Sequence, residues 1–264
     1  MELQIYDFLF YIVAGAGVGL AVGLTGVGGG SLMTPLLIFS GVPEKIAIGT
    51  DLLYAAITKS GGAITHKRMG TVNWKLVYLL ASGSIPASLL TSYLLHSFGD
   101  YDYSHILSQA LGIMLIVTAV VILLRKRAAT QPGTVCEPHL RWFHNHANKI
   151  TVLAGFFLGV LVTLSSVGAG AFCAVLLMIL YPRLPAIQVV GTDIAHAVPL
   201  TLIGGLGHLI LLDNVDLALL GGLLVGSLPA VHVGAKFAAK IPNNVLQPIL
   251  AILLLVIGLK FLFF

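Results

Sequence analysis

Ten apolar runs follow one another along the chain, and nothing else limits its possible folds so strongly. They are read at 8–25, 31–41, 45–65, 74–96 and 105–124, then at 150–165, 170–181, 185–211, 216–235 and 244–263. A helix needs about 20 apolar residues to cross the hydrocarbon core of a bilayer. Only 9% of the 264 residues are charged and 58% are hydrophobic, whereas a soluble domain carries about 25% charged residues. The expected class is therefore an all-α polytopic membrane protein, with the lipid bilayer as its first partner. The opening MELQIYDFLF carries Glu2 and Asp7 where a secretory signal has basic residues, so it is not expected to be one. Cys136 and Cys173 give no disulfide framework. The net charge of +4 does not imply nucleic acid, and no such partner is expected.

The runs form two related sets of five. GVGGG at 26–30 falls against SVGAG at 166–170, an offset of 140. GTD at 49–51 recurs at 191–193, and Pro43 and His66 meet Pro185 and His208, all at an offset of 142. GSIPA at 83–87 returns as GSLPA at 226–230, an offset of 143. Such matches, in order and with little drift, argue for duplication. The domains are then a first transmembrane repeat at 1–125, a linker at 126–149 and a second repeat at 150–264. Lys67, Arg68, Lys75, Arg125, Lys126, Arg127, Arg141, Lys149, Arg183, Lys236 and Lys240 fall on one side of this arrangement. Glu2, Asp7, Glu44, Asp100, Asp102, Asp213 and Asp216 fall on the other. By the positive-inside rule the basic side, linker included, is expected to be cytoplasmic. The third run then crosses outward-to-inward and its copy inward-to-outward, so the repeat is inverted.

The second run of each half is too short to cross. Eleven or twelve residues make a helix about 17 Å long, roughly half the hydrocarbon thickness. Each is expected to form a re-entrant or broken hairpin whose Gly-rich tip lies near mid-membrane, where irregular backbone must line protein or a watery cavity. Paired broken segments in an inverted repeat point to a transporter's binding site. The helix after each tip offers free N–H groups and a partial positive charge to an anion. Gly28, Gly29 and Gly30 permit close approach to the backbone, and Ser31, Ser165 and Ser166 add hydroxyl donors. Gly15, Gly19 and Gly23 have a GxxxG spacing, which reads as helix packing.

Asp51, Lys59 and Asp193 lie well inside the expected spans, away from their ends, and charges there usually face a cavity. The third runs also hold Thr50, Thr58, Thr192, His196, Thr201 and His208, whereas the fifth are almost wholly apolar. Lys59 reads as the attractor of an anion. Asp51, Asp193 and His196 read as proton-coupling candidates, or else as helix caps and partners of a Thr or Lys across the bundle. Cys136, His139, His144 and His146 fit no standard zinc spacing. The linker reads as a solvated basic segment with Trp142 and Phe143 at the interface, and neither metal nor cofactor is expected.

Several of these marks occur together in one family. GxGGG in the first hairpin, Thr34-Pro35 after it, A-x-G-T at Ala47–Thr50 and G-x-V-x-W at Gly70–Trp74, with weaker copies in the second half, resemble the sulfite exporter TauE/SafE family of membrane transporters. The resemblance covers nearly all of the chain outside the linker. Asp51 and Asp193 stand where the family commonly has an uncharged polar residue, and Val175 stands opposite Pro35. The resemblance implies a cell-membrane carrier, not an enzyme, that moves small sulfur-containing anions such as sulfite, thiosulfate or organosulfonates, often outward. The expected substrate-binding set is Gly28, Gly29, Gly30, Ser31, Thr34, Thr50, Lys59, Ser165, Ser166, Gly168, Gly170 and Thr192. The alternative is a cation exchanger that uses Asp51 and Asp193 as a carboxylate pair.

Overall fold

The computed structural model describes residues 2–25, 30–99, 101–129, 146–168, 170–238 and 243–263. Among them are ten helices and no strand. The first half contains α1 (Glu2–Thr25), α2 (Gly30–Phe39), α3 (Glu44–Arg68), α4 (Trp74–Ser97) and α5 (Ser104–Ala129). The second contains α6 (Ala147–Ser165), α7 (Ala171–Leu180), α8 (Ala186–Ile210), α9 (Leu217–Ala238) and α10 (Asn243–Phe263). Each apolar run has become one helix, within a few residues of its expected ends. Among the described residues, five stretches are long and apolar enough to cross a membrane: Trp74–Ser97, Ser104–Leu123, Ala147–Ser165, Ala186–Ile210 and Leu217–Gly234. Helix α3 has the length but not the apolar composition, because Asp51, Lys59 and a polar C-terminal turn interrupt it. Its stretch Ala47–Ala56 is buried against α2, α8 and α9, so it does not meet lipid there.

The glycines of the repeated motifs set how the helices pack. A Cβ on Gly83 would overlap the Val152 carbonyl of α6, and one on Gly226 would overlap the Ile12 carbonyl of α1. Gly49 presses against the Asn214 carbonyl, and its copy Gly191 against the Thr71 carbonyl. Gly15 and Gly19 lie on the backbone of Leu223 and Ser227, where a Cβ would come within 2.8 and 2.7 Å of the Cα atoms. Packing is therefore the use of the first two GxxxG positions. Close backbone approach replaces the hydrophobic drive that lipid cannot supply between helices.

These contacts also give direction. Gly49 faces His208, Leu53 faces Gly205, Gly62 faces Ile194 and His66 faces Gly191, so α3 and α8 run antiparallel. Gly15 on Leu223 and Gly19 on Ser227 make α1 parallel to α9; Leu80 on Gly155 and Ser84 on Gly159 make α4 parallel to α6. Exchanging the halves turns the α1–α9 pair into α6–α4 and the α3–α9 pair into α8–α4, while α3–α8 and α5–α10 map onto themselves. The N-termini of α4, α6 and α8 meet the C-terminus of α3 at one end, which carries Lys67, Arg68, Lys75, Lys149 and Arg183. The N-termini of α3, α5 and α9 share the other, acidic end, where Ser108 donates to Glu44 and Lys45 pairs with Asp102 at 3.2 Å.

Candidate functional site

Helix α6 stops at Ser165 because the next residues leave the helical region. Ser166 takes a left-handed conformation, φ 58°, and Gly168 has φ 109° with Met114 of α5 packed where a Cβ would sit. Only ten residues of helix follow, about 15 Å. The chain then returns to where α6 began: the Tyr181 hydroxyl lies 2.9 Å from Thr151 Oγ1 and donates to Asn148 at 3.4 Å. This second hairpin enters and leaves at the basic end. In the first half, Gly28 and Gly29, along with the Ser31 side chain, lie outside the described residues; Gly30 opens α2.

The turn after α6 meets the first turns of α2 beside Asp51. Thr34 Oγ1 donates to Asp51 Oδ2 at 2.5 Å, while Asp51 Oδ1 has no hydrogen-bond partner. The Ser166 hydroxyl faces the same carboxylate and makes no hydrogen bond either. The second half repeats this with other chemistry. Asp193, the copy of Asp51, lies against the Cys173 thiol of α7, and Cys173 is buried. Lys59 is close enough to both aspartates to interact electrostatically with them, yet makes no close ion pair among the described residues. Two carboxylates from opposite halves thus lie within electrostatic range of one ammonium, Asp193 the more strongly. His196 also feels Lys59, and its Nε2 lies 2.8 Å from Ser84 Oγ.

Burial changes sharply along α3. Ala47–Ala56 is sealed, but Thr58, Lys59, Ser60 and Gly62 are half-buried and Gly61 and Thr65 exposed. This polar strip leads from Lys59 toward the basic end. Nothing lies within 4 Å of the place a Gly61 Cβ would take.

Other expected site residues lie elsewhere or have local partners. Thr50 Oγ1 accepts the Asp216 N–H at 3.1 Å, ahead of α9, and Thr192 Oγ1 accepts the Asn73 N–H at 3.0 Å, ahead of α4. The two GTD threonines therefore tie equivalent helix starts to the core helices. Ser165 bonds within its own turn, to the carbonyls of Leu161 and Val167. Gly170 immediately precedes α7. In the linker, Cys136, His139, Arg141, Trp142, Phe143 and His144 lie outside the described residues, where no group of three metal-ligating side chains occurs. Sequence reading missed Cys173 as the neighbour of Asp193, although its position one residue before the counterpart of Thr34 could have marked it.

Comparison with known proteins is decisive about kinship: the model of the sulfite exporter TauE/SafE family matches residues 11–261. The chain belongs to that family. The probable membrane transporter protein YjnA of Bacillus subtilis (strain 168) is 40% identical over 253 residues, covering 94% of this chain and 97% of the relative. The probable membrane transporter protein MJ0441 of Methanocaldococcus jannaschii is 28% identical over 270 residues, 94% of this chain and 92% of that one. The sulfite exporter TauE/SafE family protein 5 of Arabidopsis thaliana is 27% identical over 105 residues, 39% of this chain and 23% of the plant protein. No solved structure matches. As a TauE/SafE member the protein is a membrane transporter, and the buried charged cluster lies where its two halves meet.

Proposed function

We propose that this TauE/SafE transporter carries a small sulfur-containing anion, such as sulfite, thiosulfate or an organosulfonate, outward across the cell membrane by alternating access. The observation that carries the reading is Lys59, half-buried at the inner end of a partly exposed polar strip and within electrostatic range of Asp193 and Asp51. An oxyanion arriving along the strip meets the ammonium first, then the hydroxyls of Thr34 and Ser166. The free N–H groups at the start of α7 and α2 complete the donor set.

The antiparallel α3–α8 pair and the exchange of helix contacts between halves support an inverted repeat. The basic residues at one end support a cytoplasmic face there, with the linker on that side. On this reading the structure is open inward: Lys59 is reached from the basic end, while buried side chains close the acidic end. Export of an anion from a negative interior gains about 2.3 kcal/mol per charge per 100 mV, so the potential favours it. A cation site is disfavoured, because Lys59 places a positive charge between the two carboxylates.

Reconstituted protein should move radiolabelled sulfite, taurine or sulfoacetate into or out of liposomes, and an imposed potential should change the rate. Absence of flux for every such anion defeats the reading. In Asp51→Asn and Asp193→Asn, an exchanger of cations would lose all activity, whereas an anion carrier changes only its pH dependence.

A further inference from the structure

We propose that the seam between α4, α6 and α8 is a proton path from the acidic end to the Lys59–Asp193 centre. The inference deepens the transport reading and rests on it. Ser84, Ser88 and Ser92 recur one turn apart on α4, so their hydroxyls climb in steps of about 6 Å. All three are buried, with Thr163, His196 and His208 beside them. Ser84 meets His196 Nε2 at 2.8 Å; Thr163 Oγ1 lies 2.7 Å from Ser88 Oγ and 2.8 Å from the Gly159 carbonyl, and its single proton goes to one of them at a time; His208 Nε2 lies 3.0 Å from the Thr163 carbonyl and donates to it. Ser92 touches Gly207, one residue before His208.

A merely structural seam would satisfy its polar atoms, since an unpaired buried group costs about 1–3 kcal/mol. Here Nδ1 of His196, Nδ1 of His208 and Oγ of Ser92 are all buried without a partner. Their common need is water. The symmetric seam keeps Ser227 and His66 opposite Ser84 and His208 but breaks the chain between them: Val231, Ala235 and Gly23 stand where Ser88, Ser92 and Thr163 stand, and Tyr54 replaces His196. Gly204 leaves the space beside Ser88 and Thr163 unfilled; a Cβ there would rest 3.4 and 3.5 Å from their hydroxyls, in ordinary contact.

The path begins at the loop after α8, where Asn214 donates to the Tyr103 hydroxyl and its N–H to the His208 carbonyl. His208 Nδ1 takes a proton from one water and returns it to the next. Each hydroxyl accepts on one side as it donates on the other. His196 takes a proton at one ring nitrogen and releases the proton of the other toward Asp193. Lys59 of α3 is the charged group acting on His196; on His208 the neighbours are Thr163 of α6, Gly49 of α3 and Asn214, with no charge among them.

Gly204→Ala tests this with a methyl plug that fits and raises helix propensity, and Ser88→Ala removes one relay hydroxyl. In proteoliposomes, exchange of radiolabelled sulfite for unlabelled sulfite needs no net proton movement and should stay at the wild-type rate. Net sulfite flux with proton movement, read by an internal pH dye, should fall by at least about tenfold, the scale of a lost proton-transfer group. Independently of any substrate, water-edited magnetic resonance on histidine-labelled protein in nanodiscs should show both imidazoles wet in the wild type. In Gly204→Ala, His196 should become dry and His208 stay wet. Dry imidazoles in the wild type, or equal losses of exchange and net flux, overturn the proposal. Wet imidazoles with no sulfite flux at all would instead count against the substrate reading alone.

Discussion

Removing the Thr34 hydroxyl should loosen the first hairpin by an amount set by one carboxylate. Asp51 is fully buried, and its shortest hydrogen bond among the described residues is the 2.5 Å one from Thr34. Thr34→Val keeps the shape and leaves both carboxylate oxygens without a donor. Leaving a buried polar group without its partner costs about 1–3 kcal/mol, so a loss near 2 kcal/mol is expected. Asp51→Asn keeps an acceptor for Thr34 and should lose about half as much, and the double variant should lose less than the sum of the two. The coupling should therefore be about 1 kcal/mol, read from equilibrium unfolding in mixed micelles. Ser166→Ala serves as the comparison, because its hydroxyl faces the same carboxylate without a close hydrogen bond and its removal should cost less than that of the Thr34 hydroxyl. Additive losses for Thr34 and Asp51, or a larger effect at Ser166 than at Thr34, would show that the contact does not hold α2 against α3.

Other positions respond differently. Lys59→Gln should weaken anion binding about 10- to 100-fold, the value of one charge-assisted contact, and Lys59→Arg should restore part of it, both measured by thermal shift against sulfite and taurine. Gly168→Ala should destabilise the second hairpin by about 1–3 kcal/mol through its positive φ, and Met114→Ala should not fully rescue it, as unfolding curves would report. Thr50→Val and Thr192→Val should each cost about 0.5–1.5 kcal/mol, with equal size because their bonds are equivalent, and should not abolish flux. At the acidic end, the Ser104 hydroxyl and N–H, then Lys45, hold the Asp102 carboxyl down to about 2. Its pairing should be complete above pH 4 and fade only as pH falls toward 2, so a carboxyl resonance titration should show no change between pH 7 and pH 5.

The helices were legible because a bilayer imposes a length, and ten apolar runs leave little choice of fold. The recurring motifs GTD and GSxPA were legible, but what they do in the fold was not. Their glycines mark where the α3 and α8 helices touch loop carbonyls and where α4 and α9 touch neighbouring backbones, a fact that only packing reveals. Thr50 and Thr192 illustrate the limit. A hydroxyl beside a membrane aspartate reads as a ligand, yet each accepts a backbone N–H from a distant helix start, a partner no spacing rule can name. A Thr or Lys partner for each aspartate across the bundle was a legible alternative, but spacing could not say that Thr34 meets Asp51 while Lys59 lies within reach of Asp193. The seam of serines was equally hidden, because Ser84, Ser88 and Ser92 share a helix face with ordinary small-residue packing.

The central claim is that Lys59 receives a small anion between the two halves. The direct measurement is flux of radiolabelled sulfite and taurine in liposomes bearing equal amounts of wild-type and Lys59→Gln protein, with unfolding curves confirming that both are folded. The account predicts uptake by the wild type and near-background uptake by the variant. Equal uptake by the two proteins would contradict it.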